Sequence, residues 1–299
     1  MNDSSIDRAR TPRTWLITGA SRGFGREFTR AALARGDDVA ATARDVSSLR
    51  ELRDEHPRLL VLPLDVTDAD AVRARVADAE DHFGRLDVVV NNAGYGHFGA
   101  VEELTDAELR AQLETNLFGA HRVVRAALPG MRERGGGHIV QVSSVGGVVA
   151  VPNLGAYHAS KWALEALSES LAAEVARFGV HVTLVEPGGY DTDWAGWSSR
   201  HSGPLSAYDT MREEMAARRG TSVPGDPRAA ARALLDIVDA ERPPLRVLFG
   251  ALFGMPTPEI VRGAYDRRLT EWAAWEDLTT RAYGDPRQNL GGSVGRRNP

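Results

Sequence analysis

The chain has 299 residues, 42% hydrophobic and 26% charged, with a formal net charge of −5 at pH 7 and no cysteine. These are the values of a globular chain rather than a disordered one, and the acidic balance argues against a nucleic-acid partner. The lack of cysteine excludes disulfides, thiolate nucleophiles and cysteine-based zinc sites.

Residues 1–13 are polar, without the apolar core of a secretory signal. No apolar run approaches the roughly 20 residues needed to cross a bilayer. The expectation is a cytoplasmic protein with no membrane partner. The eight histidines show no metal-ligand spacing, and no G-x-S-x-G elbow suggests a hydrolase.

The first apolar, β-favouring run, Trp15 to Thr18, enters Gly19-Ala20-Ser21-Arg22-Gly23-Phe24-Gly25, and a helical pattern follows from Glu27 to Arg35. Strand, glycine-rich turn and helix is the arrangement that seats a pyrophosphate on backbone N–H groups. The spacing is G-x-x-x-G-x-G, but the glycines have the same work of tight turning and close approach. Asp37 to Ala43 reads as a second strand, ending at Arg44. Two guanidiniums, Arg22 and Arg44, with no acid at the strand end favour NADP(H) over NAD(H). The alternative is that both are surface arginines of an Arg-rich chain, and Asp45 lies one place beyond the position of the expected acid.

Val46 to His56 is helical, and Leu59 to Leu64 is a third strand running into Asp65 and Val66, where Asp65 can accept a hydrogen bond from an adenine amine. A helix over Ala69 to Phe83 precedes the continuous apolar run Leu86 to Val90, as expected of a strand buried on both faces. That run leads into Asn91-Asn92-Ala93-Gly94. The alternation predicts an α/β fold: a doubly wound parallel sheet, Rossmann-like, of about seven strands with helices on both faces and the ligand at the strand C-termini.

Thr105 to Arg134 is helical, with a break expected near Pro129-Gly130. His138 to Ser144 is the fifth strand and delivers Ser143 and Ser144; Val180 to Val185 is the sixth and ends at Glu186-Pro187-Gly188. Between them, Tyr157 to Phe178 forms an amphipathic helix that carries the single lysine of the chain, Lys161, among 36 basic residues. Residues four apart on a helix lie one above the other, so the Tyr157 phenol and the Lys161 ammonium can share one small volume. A nearby cation lowers a tyrosine pKa and suits Tyr157 to proton transfer. An ordinary amphipathic helix would give the same pentapeptide, so the other segments decide.

From Asp193 to about Gly225 the pattern is irregular, with Trp194, Trp197, Tyr208, Met211 and Met215 among Gly, Ser and Pro. Such a stretch within a domain reads as a lid or binding loop. Its aromatic content fits either an apolar, bulky substrate or ordinary packing. Pro227 to Ala240 is helical, Leu245 to Phe249 is a seventh strand, and Pro258 to Tyr283 is a long helical pattern. The expected organisation is a flexible segment 1–13, a catalytic domain 14–255 with its substrate loop at about 190–225, a helical extension 256–284 and a loose tail 285–299.

Thr18-Gly-x-x-x-Gly-x-Gly25, Asn91-Asn-Ala-Gly94 and Tyr157-x-x-x-Lys161, in this order and at these distances, resemble the short-chain dehydrogenase/reductase family over roughly residues 12–255. The resemblance implies a catalytic set of Asn116, Ser144, Tyr157 and Lys161. In that set Asn116 holds a water linking Lys161 to solvent, and Ser144, thirteen residues before the tyrosine, bonds the substrate carbonyl. It implies a cofactor site of Gly19, Ser21, Arg22, Gly23, Phe24, Gly25, Arg44, Asp65, Val66, Asn92, Ala93, Gly94, Tyr157, Lys161, Pro187, Gly188 and Thr192, with Thr192 on the carboxamide. Lys161 would bond the nicotinamide ribose. The activity implied is that of a ketoreductase or carbonyl reductase acting on a small-molecule carbonyl or alcohol, in a homo-oligomer, dimer or tetramer. An epimerase-type reaction that returns the hydride, or a non-catalytic NADP(H) sensor, are the alternatives.

Overall fold

The computed structural model describes residues 11–196, 198–220 and 223–284. The expectations for residues 1–10, Trp197 and the tail 285–299 fall outside them. The chain forms two compact units, one up to Thr257 and one from Pro258.

In the first unit seven parallel strands form one sheet: β1 (Thr14–Ile17), β2 (Asp38–Ala43), β3 (Leu59–Pro63), β4 (Val88–Asn91), β5 (Gly137–Val142), β6 (Val180–Pro187) and β7 (Arg246–Phe249). Their order is β3-β2-β1-β4-β5-β6-β7. The sequence-based expectation of a doubly wound parallel sheet is met. The winding reverses between β1 and β4, and the crevice outside the carboxyl ends of two such strands is where ligands bind in sheets of this kind.

Period-2 alternation along β1 sends Trp15 and Ile17 into one core and Leu16 into the other. The first core is closed by α1 (Gly23–Ala34) and α8 (Pro227–Asp239), through Phe28, Ala32, Leu234 and Val238. The second is closed by α3 (Ala69–Phe83) and α5 (Ala120–Arg134), through Val72, Val76, Val123 and Met131. The remaining helices of this unit are α2 (Arg50–Glu55), α4 (Asp106–Leu113), α6 (Gly155–Val175) and α7 (Asp209–Gly220). Because both faces of the sheet are covered, its central strands are rich in apolar residues on both sides, as in Trp15–Ile17 and Val88–Val90.

Two expectations are corrected. Pro129 does not break α5, which continues to Arg134. The proline sits on the solvent side with Arg125, whose carbonyl loses its helical partner there, while Val123, Ala127 and Met131 hold the opposite face in the core. The helical irregularity lies earlier, in a π-helical turn over Glu114–Gly119. The stretch after Asp193 is also more regular than its composition suggests. It contains α7 and a two-residue strand, Arg200–His201, that pairs in parallel with His97–Phe98.

In the second unit the helical pattern divides into α9 (Thr257–Ala273), whose first residue belongs to the first unit, and α10 (Glu276–Tyr283). The backbone leaves helical geometry at Trp275, with φ −117° and ψ 17°. No helix among the described residues is long and apolar enough to cross a membrane.

Candidate active site

The carboxyl ends of β1 and β4 are locked together by Thr18 and Asn92. The Thr18 hydroxyl accepts from the backbone N–H groups of Asn92 and Ala93, both at 3.0 Å, and the Asn92 carboxamide donates to the carbonyls of Thr18 (3.0 Å) and Gly19 (3.1 Å). Gly25 is a contact glycine here, because a Cβ on it would lie 2.5 Å from Asn92 Nδ2 and from the Gly19 carbonyl. Gly19 and Gly23 turn with φ +66° and +53°, a left-handed conformation that glycine adopts without strain. The N-terminus of α1 beyond them has no side-chain cap and no acidic residue in its first turn. Its first N–H groups thus lack side-chain partners, and the positive end of the helix dipole is not offset. These features fit the diphosphate of a nicotinamide dinucleotide.

Ser144, two residues past β5, and Tyr157, in the first turn of α6, meet against Gly146, whose N–H bonds Ser144 Oγ and on which a Cβ would stand 3.2 Å from the Tyr157 ring. Ser144 is held from behind: its oxygen accepts from the Gly146 N–H at 3.0 Å, and it donates to the Pro187 carbonyl at 3.4 Å. Lys161 lies one turn along α6, buried, donating to the Val142 carbonyl at 2.7 Å, with Nζ 6.0 Å from the Tyr157 ring centre. Asn116 sits in the π turn, a feature that recurs at functional sites. Its carboxamide accepts from the Tyr95 N–H and donates to the Tyr95 carbonyl and to Ser160 Oγ, which in turn donates to the Tyr157 carbonyl at 2.7 Å. Both Asn116 Oδ1 and Lys161 Nζ face Gly94, lying 3.0 Å and 3.8 Å from where its Cβ would be. The four expected residues therefore converge.

The expected charge effect differs from the geometry. Burial pushes Tyr157 up to about 12, opposed only by the bond from Ser144. Lys161 does not draw it down, because its ammonium is aimed at Val142. Burial in turn pulls Lys161 down to about 8, with Glu165 opposing. Desolvation disfavours both the phenolate and the ammonium. At neutral pH the phenol keeps its proton.

A cover of aromatic rings lies on this face. The Trp194 indole meets the Tyr157 ring edge-on, with centroids 4.8 Å apart, and Phe98 at 5.6 Å; His201 stacks on Phe98 at 5.1 Å. The segment carrying Trp194 and His201 is tied down by the Glu103 carboxylate. That group accepts from the N–H groups of Ala100 and Leu205, both at 2.7 Å, and from Arg212 at 2.6 Å. A second tie joins His97 to Ser202 at 2.9 Å and Ser202 to Glu108 at 3.1 Å.

The other expected cofactor residues are distributed as follows. Arg22 is the N-cap of α1, and Arg44 is exposed just past the end of β2. The Asp45 carboxylate turns away to accept from the Ser47 N–H at 2.8 Å. Asp65 Oδ1 is engaged by the Thr67 N–H and hydroxyl, and Val66 is buried under Gly119. The Phe24 ring packs on Phe28 and Tyr190, so that residue can offer a ligand its backbone rather than its side chain. Thr192 lies across from the glycine turn, its Cβ 3.5 Å from where a Cβ on Gly23 would be. Pro187 supplies the carbonyl behind Ser144, and a Cβ on Gly188 would collide with the Ala251 carbonyl. Sequence reasoning does not single out Ser160 or the hydroxyl of Thr18. Each abuts a motif residue, Ser160 next to Lys161 and Thr18 at the head of the glycine stretch, and that adjacency is the only signal.

With these residues in place, residues 13–202 match the family model for short chain dehydrogenase. The chain belongs to the short-chain dehydrogenase family. It is 43% identical over 241 residues to oxidoreductase BOA17 of Botryotinia fuckeliana, covering 79% of this chain and 88% of that protein. It is similar in structure to a short-chain dehydrogenase from Streptomyces avermitilis, with a TM-score of 0.84 and 40% identity over 94% of this chain and all of that one. At a TM-score of 0.70 it is similar to an alcohol dehydrogenase from Thermococcus sibiricus complexed with 5-hydroxy-NADP, 27% identical over 82% of this chain and 99% of that one. At the same TM-score it is similar to a family member from Burkholderia phymatum in complex with NAD, 25% identical over 79% and 88%. As a family member, this dehydrogenase is an oxidoreductase built to hold a nicotinamide cofactor.

Proposed function

We propose that the enzyme reduces an apolar carbonyl compound with NADPH, or oxidises the corresponding alcohol, using Tyr157 as general acid or base. The observation that carries this reading is the meeting of Ser144 and Tyr157 against Gly146, with buried Lys161 one turn behind Tyr157. In the reductive direction the Ser144 hydroxyl and the Tyr157 phenol converge on the substrate oxygen, and Tyr157 passes its proton to that oxygen as negative charge develops there. The bound cofactor supplies the hydride. The Tyr157 phenol, kept protonated by burial, suits reduction near neutral pH. Reprotonation of the phenolate falls to Lys161, whose ammonium lies beside the tyrosine ring, and to a water held near Asn116.

Arg22 at the α1 N-cap and Arg44 at the β2 end support NADP(H), as does the engagement of Asp45 by Ser47. Trp194 and Phe98 over Tyr157 support an apolar substrate. The same reading includes a homo-oligomer: Phe118, Trp162 and Leu167 are large apolar side chains that stay exposed in one chain, and sedimentation equilibrium tests it, a monomer being the overturning result.

The test of the function is a binding titration with NADPH and NADH, followed by turnover on a panel of ketones and aldehydes. At least about tenfold tighter binding of NADPH, about 1.4 kcal/mol, and turnover of bulky apolar carbonyls are expected. Tighter NADH binding overturns the cofactor preference, and turnover confined to small polar carbonyls overturns the substrate class.

A further inference from the structure

Behind the Ser144–Tyr157 face lies a second polar cluster that the chemistry above does not use. Strand register puts Gln141 on β5, Leu184 on β6 and Arg246 on β7 side by side, and Ser143 and Glu186 follow two residues along on the same sheet face. Helix α6 lays Glu165 onto this face. Glu165 and Glu186 are 5% and 2% exposed. The Arg246 Nε lies 3.0 Å from Glu165 and 3.6 Å from Glu186, and its Nη2 reaches Glu169 at 2.8 Å. The Ser143 hydroxyl and one oxygen of each of Glu165 and Glu186 are buried without a hydrogen-bond partner. Ser143 Oγ and Glu165 Oε1 close on the same spot, 2.6 Å and 3.2 Å from where a Cβ on Gly147 would be.

The two carboxyl groups close on the same Arg246 nitrogen, and each keeps a buried oxygen without a donor. Ionised carboxylates only accept, so a proton held between the pair supplies the missing donor. The charge count agrees. Arg246 from β7 reaches Glu165, Glu169 and Glu186, and Lys161 from α6 feels the Glu165 charge, while Gln141 and Ser143 from β5 are neutral. Two cations oppose three carboxylates, and one proton balances them.

We propose that Glu165 and Glu186 share a single proton, and that the pair, through Glu165 one helical turn beyond Lys161, is a positioning element that sets the charge beneath the catalytic lysine. The part of the inference that concerns Lys161 rests on the function proposed above. While the pair keeps its proton it presents one negative charge toward Lys161. Loss of that proton adds a second and holds the ammonium more firmly. Burial and the Glu165 charge place the Glu186 proton near the working range, at about 8, so the change occurs where the enzyme can feel it.

The test combines a direct titration with a pH–rate profile. In 13C NMR of protein labelled at glutamate side chains, one carboxyl signal titrates near pH 8 and is lost in Glu186→Gln. The glutamine keeps the hydrogen bond by donating its N–H but cannot ionise. Glutamate signals that all titrate below about pH 6 overturn the shared proton. In turnover, the basic limb of kcat moves to lower pH by about half a unit in Glu186→Gln, about a threefold change in the protonated fraction of Lys161 at fixed pH. Glu165→Gln gives the same direction. A limb that stays in place while the NMR signal disappears overturns the link to Lys161. If no carbonyl is turned over at all, the proposed function fails, while the titration still decides the proton pair.

Discussion

Gly96 and Trp194 are fitted to one another: a Cβ on Gly96 would stand 2.6 Å from Trp194 Cζ2 and 2.9 Å from Cε2. The missing side chain lets the indole settle beside the backbone and reach the Tyr157 ring at 4.8 Å. A residue with no side chain thus determines how closely the cover approaches Tyr157. Gly96→Ala should lift the indole, and Trp194→Ala should remove it. An aromatic pair contributes about 0.5–1.5 kcal/mol beyond its burial. Both variants should therefore lose about 2- to 10-fold in kcat/KM on bulky apolar ketones, with less change on acetone-sized ones. Equal losses on both classes would show that the indole does not face the substrate.

Tyr157→Phe removes the phenolic proton and keeps the ring that packs on Trp194. Turnover should fall by at least about 100-fold, the usual contribution of a positioned general acid, with cofactor affinity within about threefold of the parent. Stopped-flow measurement of cofactor oxidation reads the first quantity and fluorescence titration the second.

Arg44→Ala should weaken NADPH by about tenfold, roughly the worth of one charge-assisted hydrogen bond to a phosphate, and leave NADH unchanged. Titration calorimetry with both cofactors checks it. Equal effects on the two would take the guanidinium away from the 2′-phosphate.

Lys161 is held at about 8 by burial, below its unfolded value of about 10.4. For a depressed group the associated stability is present above the unfolded pKa and lost as pH falls through the folded one. At pH 7 the buried ammonium therefore costs on the order of 3 kcal/mol, offset in part by its bond to Val142. Lys161→Met should abolish turnover yet raise Tm at pH 7 by a few degrees. A lower Tm would mean that the Val142 bond outweighs desolvation.

Glu186 has the opposite sign. Its folded pKa, about 8, lies above the unfolded value of about 4.3. Its contribution to stability is present below the unfolded value and lost as pH rises through 8. Tm of the parent protein should therefore decline between pH 5 and 8 more steeply than that of Glu186→Gln, a comparison that differential scanning calorimetry makes directly.

Glu103 accepts three hydrogen bonds, including those from Leu205 and Arg212, and they hold its pKa below the ordinary value, the Leu205 N–H first. Its contribution is present above the unfolded pKa and fades as pH falls. Hydrogen exchange at the Leu205 amide should quicken in Glu103→Gln relative to the parent at neutral pH, because the amide is a weaker acceptor for Arg212. Unchanged exchange would mean that the pairing of His97–Phe98 with Arg200–His201 alone holds this segment.

The sequence by itself determined the layered architecture and singled out residues that the fold brings to one end of the sheet. Unbroken apolar runs such as Val88–Val90 suit strands covered on both faces, and a glycine turn between strand and helix leaves backbone N–H groups open to a ligand. The i, i+4 spacing placed Tyr157 and Lys161 together, because helix geometry is local. What only the tertiary structure decided depends on contacts between distant segments. Pro129 stays within a helix because the burial of Val123, Ala127 and Met131 outweighs one lost hydrogen bond. Tyr157 and Lys161 titrate according to burial, a property of the whole fold, so the ammonium serves Val142 and leaves the phenol high. The meeting of Trp194 with Gly96, and of Glu165 with Glu186, joins residues 98 and 21 positions apart, and no periodicity encodes which side chains a sheet and its covering helix bring face to face.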